Sequence, residues 1–160
     1  MKPENRFRDC GYPLTTTDLI IEYKNRTKEG IVLVTRKNPP YGIALPGGFA
    51  EYGLSLEENA AKEAREETGL AVVVKDCYHP FCVRSDPDRD PRGHMISITY
   101  IVEGYGKLKA GDDAKEARLY SLDEVRGLIR RDELAFDHDE ILGEYLEIID
   151  RSTPIPGGWI

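Results

Sequence analysis

Of 160 residues only three are cysteine, and no apolar run approaches the length of a membrane span. Cys10, Cys77 and Cys82 form no close pair of the kind that holds zinc or a redox dithiol, and an odd count makes a poor disulfide framework. A spanning helix needs about 18 consecutive apolar residues, and no charged start leads into an apolar core and cleavage site. Nothing in the sequence exports the chain, so the expected address is cytoplasmic. Positive charge is also in deficit: 22 Lys+Arg stand against 29 Asp+Glu, a formal net charge of -7. That balance disfavours a broad nucleic-acid or anionic-membrane surface. It leaves room for an anionic small molecule, because a bound divalent metal and a few arginines reverse the field inside one cleft. Internal repeats and linkers are absent too, and the expectation is one domain over residues 1–160, large enough to fold without staples.

What is present reads as alternating strands and helices. Thr15 to Tyr23 and Gly30 to Thr35 are rich in β-branched residues, and the polar run from Lys24 to Glu29 suits a hairpin connection. Asn38-Pro39-Pro40-Tyr41-Gly42 is a loop by composition; Ile43 to Leu45 is a short apolar piece running into a Pro46-Gly47-Gly48 turn. Ser55 with Glu58 three residues on predicts a capped helix start, alanines at 60, 61 and 64 support the helix, and Gly69 stops it. Strand composition returns at Ala71 to Lys75 and at Met95 to Val102. Between them, Ser85 to Gly93 must be a long surface loop, and Gly111-Asp112-Asp113 a turn. Ser121 and Glu124 make a second capping box. A last helix over Asp137 to Ile149 carries one stripe of Ile141, Leu142, Tyr145, Leu146, Ile148 and Ile149. Mixed strands with helices between and after them predict an α/β or α+β sandwich-like domain.

The strongest chemical feature is the segment from Gly47 to Leu70. On a helix, Glu63, Glu66 and Glu67 fall within about 100° of one another. Ala60, Ala61, Ala64 and Thr68 lie to one side, where small residues let a helix sit close on a sheet. Like charges three and four apart destabilise an isolated helix, and acids at its C-terminal end oppose the helix dipole. Such a cluster is either a solvated acidic face or an oxygen site for Mg²⁺ or Mn²⁺. Arg65 lies about 160° from Glu67 and does not neutralise that face, whereas Lys62 is nearer.

This segment resembles the signature of the Nudix hydrolases: a glycine, a glutamate six residues on, then Arg-Glu-apolar-x-Glu-Glu-x-Gly-apolar. Here the pattern starts at Gly48 and ends in Lys62-Glu63-Ala64-Arg65-Glu66-Glu67-Thr68-Gly69-Leu70. The resemblance implies an α/β/α sandwich with a mixed β-sheet, and Mg²⁺ or Mn²⁺ bound by Glu63, Glu66 and Glu67 with the Gly48 carbonyl. Two positions depart from it: Leu54 stands where the pattern has glutamate, and Lys62 where it has arginine. In the family these two positions interact and help orient the metal site. Losing both removes a charged pair without stranding one partner, and the expectation is a catalyst weaker than its relatives, sped roughly ten-fold or more by Leu54→Glu.

A second segment, Ser85 to His94, bears on substrate. Arg89 and Arg92, with Arg84 just before, offer guanidinium forks of the geometry phosphates accept; alternatively, Asp-Arg pairs lock the proline-rich loop. His94 opens a strand, as either a hydrogen-bonding histidine or a substrate contact. This loop, with Tyr12-Pro13-Leu14-Thr15 and Lys37-Asn38-Pro39-Pro40-Tyr41-Gly42, resembles a group of microbial ADP-ribose pyrophosphatases within the family. The implied reaction is hydrolysis of ADP-ribose to AMP and ribose 5-phosphate, metals activating a water that attacks in line. Another nucleotide substrate, or a nucleotide-binding domain with lost catalysis, is the alternative. The proton acceptor is Glu66, Glu67, or a carboxylate of the acidic loop with its neighbour, Asp113 or Glu116, and the sequence does not choose among them. Tyr41 and Phe49, with Tyr12 and Phe81, are candidates for stacking adenine or for the core. The resemblance also implies a homodimer, for which the apolar tail (Ile155, Trp159, Ile160) is suited, as it is for packing on its own domain.

Overall fold

The structure, a computed structural model, describes residues 11–76, 78–109 and 114–152, with residues 114 and 115 as backbone only. Cys10, Cys77, the turn at 111–113 with the proposed base Asp113, and the apolar tail lie outside the described residues. In chain order the elements are β1 (Leu14–Lys24), β2 (Glu29–Arg36), β3 (Ile43–Ala44), β4 (Gly47–Phe49), α1 (Leu56–Thr68), β5 (Ala71–Val74), β6 (Cys82–Arg84), β7 (Met95–Tyr105), β8 (Ala114–Tyr120), α2 (Leu122–Arg130) and α3 (His138–Ser152). All eight strands join one sheet.

β1 forms the middle of that sheet because its apolar run is buried on both faces. Leu19 and Ile21 pack with Val32, Ala60, Ala64 and Leu70 under α1, and Ile20 packs on the other side with Ile31, Leu33, Val125, Ile141 and Leu142. Burying a Leu, Ile or Val side chain stabilises by roughly 2 kcal/mol, so a strand apolar on both faces is fixed between two layers. The result is an α/β/α sandwich. The sheet is mixed: β1 and β7 run parallel from Leu14↔Met95 to Glu22↔Glu103, and the other pairings are antiparallel.

The hairpin between β1 and β2 pairs only over Ile21↔Val32 to Lys24↔Glu29. Beyond Ile21 the two strands part, and residues 43–49 fill the split, β3 pairing with β2 and β4 with β1. That split is where the candidate site opens. Gly47 and Gly48, expected with Pro46 to form a turn, thus lie in a strand, β4. A Cβ on Gly47 would sit 2.2 Å from the Thr17 carbonyl oxygen, so the close pairing requires glycine there.

Both capping boxes form. Glu58 N–H donates to Ser55 Oγ at 3.2 Å and Ser55 N–H to Glu58 Oε2 at 2.8 Å; the same reciprocal pair joins Ser121 and Glu124. Gly69 ends α1 at φ 71°. α3 begins one residue later than expected and runs on to Ser152, and Ile148 leaves the apolar stripe, being 53% exposed. β6 and β8 carry no strand signal. β8 reads Ala-Lys-Glu-Ala-Arg-Leu-Tyr, mostly helix formers, and becomes a strand by pairing with β2 from Ile31↔Tyr120 to Arg36↔Ala114.

Candidate active site

α1 lies close on the sheet because Asn59, Ala60, Ala64 and Thr68 are buried, and this turns its glutamates toward the split. Gly47 N–H donates to Glu67 Oε2 at 2.9 Å. Glu63 packs on the next residue: a Cβ on Gly48 would lie 2.6 Å from either carboxylate oxygen of Glu63. The glycine pair of β4 is therefore seated between two carboxylates. Burial pushes the Glu67 carboxyl up to about 7; the Gly47 N–H opposes this and the neighbouring Glu63 charge adds to it. The elevation is first the cost of burying a charge and then repulsion from Glu63, and a hard cation held by these oxygens would relieve both.

Glu66 behaves differently. Its Oε2 accepts from Lys62 Nζ at 2.8 Å, and the same ammonium lies 2.9 Å from Glu51 Oε1. These bonds, that to Glu66 first, hold Lys62 above its ordinary pKa. Among the described residues, no three His, Cys, Asp or Glu side chains close into a ready-made cation cage in this arrangement. Glu63, Glu66 and Glu67 nevertheless line one cleft of about 440 Å³, together with Gly48, Phe49 and Arg92. The donor set fits a divalent cation at Glu63, Glu67 and the backbone of Gly48, with Glu66 within the same cleft.

Opposite the helix, β2 and the loop before β7 bring two arginines together. The Arg36 guanidinium stands 4.7 Å from the centre of the Phe136 ring, and that of Arg92 lies 5.2 Å from Phe136 and 5.3 Å from Phe49. Burial, then the charge of Arg92, lower the Arg36 pKa from its ordinary value. Below them is a buried polar floor. Ser97 donates to Asp18 Oδ2, His138 Nε2 is 3.8 Å from the same oxygen, and Leu45 N–H donates to His138 Nδ1 at 3.0 Å. Burial raises the Asp18 pKa, but His138, Ser97 and Arg89 outweigh it and hold the carboxyl below its ordinary value. Asp18, Arg36 and His138 line the small polar cavity that adjoins Gly48 and Glu67.

The expected loop arginines separate into distinct roles. Arg89 is locked away: its side chain is 4% exposed and forks onto Asp137 at 2.9 and 2.5 Å. Arg92 also forks onto an aspartate, the buried Asp90, at 3.0 and 2.7 Å, but its side chain is 26% exposed and lines both the cleft and the small cavity. Arg84 does not join them, because it is drawn to α3, 2.6 Å from Glu144 and 3.8 Å from Glu140. His94 Nε2 lies 3.1 Å from the Ser85 carbonyl oxygen, bracing the ends of the loop. Tyr41 points to solvent, 70% exposed, whereas Phe49 sits under Arg92. Glu116 is exposed on β8, opposite Thr35, which lines the glutamate cleft. Sequence reading passed over Asp18, Arg36, Glu51, Phe136 and His138. Only Asp18 carried a signal, as a charge inside an apolar strand.

Comparison with known proteins places this geometry. The NUDIX domain family matches residues 14–145. An ADP-ribose pyrophosphatase of Methanocaldococcus jannaschii is 46% identical over 144 residues, covering 88% of this chain and 78% of the relative. A MutT/nudix family protein from Enterococcus faecalis superposes with a TM-score of 0.67 at 30% identity, over 87% of this chain and 63% of that one. The bifunctional NMN adenylyltransferase/ADP ribose pyrophosphatase of Francisella tularensis, solved with AMP and a manganese ion, does so with a TM-score of 0.69 at 26% identity. This chain matches only 42% of that longer protein and is itself covered to 86%. With its glutamate helix seated on the Gly47–Gly48 strand, the chain belongs to the Nudix hydrolase family.

Proposed function

We propose that the chain hydrolyses ADP-ribose to AMP and ribose 5-phosphate with Mg²⁺ or Mn²⁺ bound at α1. The observation that carries this reading is the meeting, in one cleft, of Glu63 and Glu67 about the Gly47–Gly48 strand with Arg92 opposite. The M. jannaschii relative, an ADP-ribose pyrophosphatase, supplies the choice of substrate. Glu63, Glu67, the Gly48 carbonyl and, once released from Lys62, Glu66 would hold the cation. When bound, it neutralises phosphoryl oxygens and acidifies a water.

The chain's own residues do the remainder. Arg92, forked onto Asp90, and Arg36, held by the Pro40 carbonyl, turn their positive charge and remaining N–H groups to the diphosphate, with the rings of Phe49 and Phe136 beside them. Arg89 and His94 shape the loop that carries Arg92, and Arg84 fastens β6 to α3. Glu116, exposed on β8 beside the cleft, accepts the proton of the attacking water. The reading extends to one domain over residues 1–160, a cytoplasmic address and a homodimer, supported by the acidic balance, the bland cysteines and the apolar tail. No helix among the described residues is long and apolar enough to cross a membrane.

A panel of ADP-ribose, other nucleoside diphosphate sugars, dinucleotides and nucleoside triphosphates, assayed with Mg²⁺ and with Mn²⁺, tests the substrate. AMP release should be fastest from ADP-ribose. Strong turnover of a triphosphate with ADP-ribose untouched would overturn the assignment.

A further inference from the structure

The family pattern places an acidic partner for residue 62 at position 54, and here that position holds a leucine, 39% exposed. The charged pair is not lost. Lys62 Nζ bridges Glu51 Oε1 at 2.9 Å and Glu66 Oε2 at 2.8 Å. We propose that Glu51 is a positioning residue: it gives Lys62 a second carboxylate, so that Glu66 can pass to a cation without stranding the ammonium. This rests on the metal-dependent reading above, and it is independent of which nucleotide is hydrolysed.

The backbone is built to keep Glu51 in place. Ala50 N–H donates to the Thr15 carbonyl at 2.9 Å, and Glu51 N–H donates to Asn59 Oδ1 at 3.1 Å. Asn59 is wholly buried and donates from Nδ2 to Thr17 Oγ1 at 2.9 Å. A polar side chain buried on α1 thus ties the loop to both the helix and β1, which sets the Glu51 carboxylate beside Lys62 and on the wall of the glutamate cleft.

Stability does not explain the bridge. The side chains of Glu51 and Glu66 are 50% and 53% exposed, and exposed pairs add little to folding. The arrangement matters for competition. With Lys62 alone, an i,i+4 pair would hold Glu66, and any cation drawing Glu66 away would leave an unpaired ammonium. Glu51 keeps that ammonium paired in both states.

The test is a double-mutant cycle on Mn²⁺ affinity, measured by calorimetry on wild type, Glu51→Gln, Lys62→Met and the double variant, each checked by a thermal melt. Glu51→Gln should weaken Mn²⁺ binding by about tenfold, the scale of outer-shell partners at metal sites. In the Lys62→Met background the same change should weaken it by less than about threefold, since no ammonium needs a partner. At saturating Mn²⁺ the turnover of Glu51→Gln should return to within about threefold of wild type, the deficit appearing only in the metal requirement. An equal loss in both backgrounds would show Glu51 acting merely as a distant negative charge and would overturn the proposal, as would unchanged affinity in Glu51→Gln. Absence of Mn²⁺ binding in the wild type would overturn the metal reading together with this one. The predicted affinity pattern without ADP-ribose turnover would uphold Glu51 and remove only the substrate.

Discussion

Glu67→Gln should stabilise the metal-free protein while disabling the enzyme, and the pH dependence of the gain follows from the structure. The Glu67 carboxyl rises from an ordinary 4.5 to about 7, because of burial first and the Glu63 charge beside it. An acid whose pKa is raised in the fold binds its proton more tightly folded than unfolded. Below pH 4.5 both states are protonated and no penalty arises. As pH climbs from there to about 7 the unfolded chain ionises first, and stability falls. Above about 7 the folded carboxylate is charged as well, and the full penalty is in place. At about 1.4 kcal/mol per pH unit the gap corresponds to roughly 3 kcal/mol. Glutamine keeps an acceptor for the Gly47 N–H and carries no charge, so Glu67→Gln should recover about 2–3 kcal/mol at pH 8. For a chain of this size that is a rise in melting temperature of roughly 5–10 °C. Calorimetric melts of both proteins in chelator, at pH 5 and pH 8, measure it. The variant should melt higher at pH 8 and nearly level with wild type at pH 5. A variant melting at or below wild type at pH 8 would refute the claim that Glu67 is held ionised against its surroundings.

The other positions divide between scaffold and chemistry. Arg89→Met leaves the half-buried Asp137, its side chain 15% exposed, without its fork and should destabilise by about 3 kcal/mol, read by urea denaturation. Glu116→Gln should lower kcat about a hundredfold with Mn²⁺ affinity unchanged, as expected of a proton acceptor that holds no cation; steady-state kinetics and calorimetry together check it. Leu54→Glu should change turnover by less than about threefold, because Lys62 already has Glu51 and Glu66 as partners. A ten-fold rise in the same kinetic assay would restore the role that the family pattern gives to position 54.

The last of these reverses an expectation from sequence, and the reason is physical. Spacing along α1 was legible: the capping box at Ser55, the small buried face and the glycine stop depend on local chemistry and all form. The three glutamates follow from the same helical period. Lys62, however, finds its partner across a loop, and only the buried Asn59 hydrogen bonds place Glu51 there. The substrate loop shows the same limit. Its arginines looked alike in sequence, yet Glu144 of α3 takes Arg84, Asp137 just before α3 takes Arg89, and Arg92 is left lining the cleft. β4 and β8 were hidden for a related reason. Glycines and helix formers become strands there because β1 and β2 offer them open edges, and register across a sheet is not written in local composition.

The most direct test of the central claim is the rate of AMP release from ADP-ribose, measured by chromatography for wild type and Glu67→Gln at pH 8, with saturating Mn²⁺ and again in chelator. A half-buried carboxylate that holds a cation beside the Gly47–Gly48 strand predicts AMP and ribose 5-phosphate from wild type with Mn²⁺. It predicts at least about a hundredfold slower release in chelator and in the variant, the scale of a misplaced group at such a site. Release by Glu67→Gln at the wild-type rate, or release by wild type that ignores the chelator, would contradict the account.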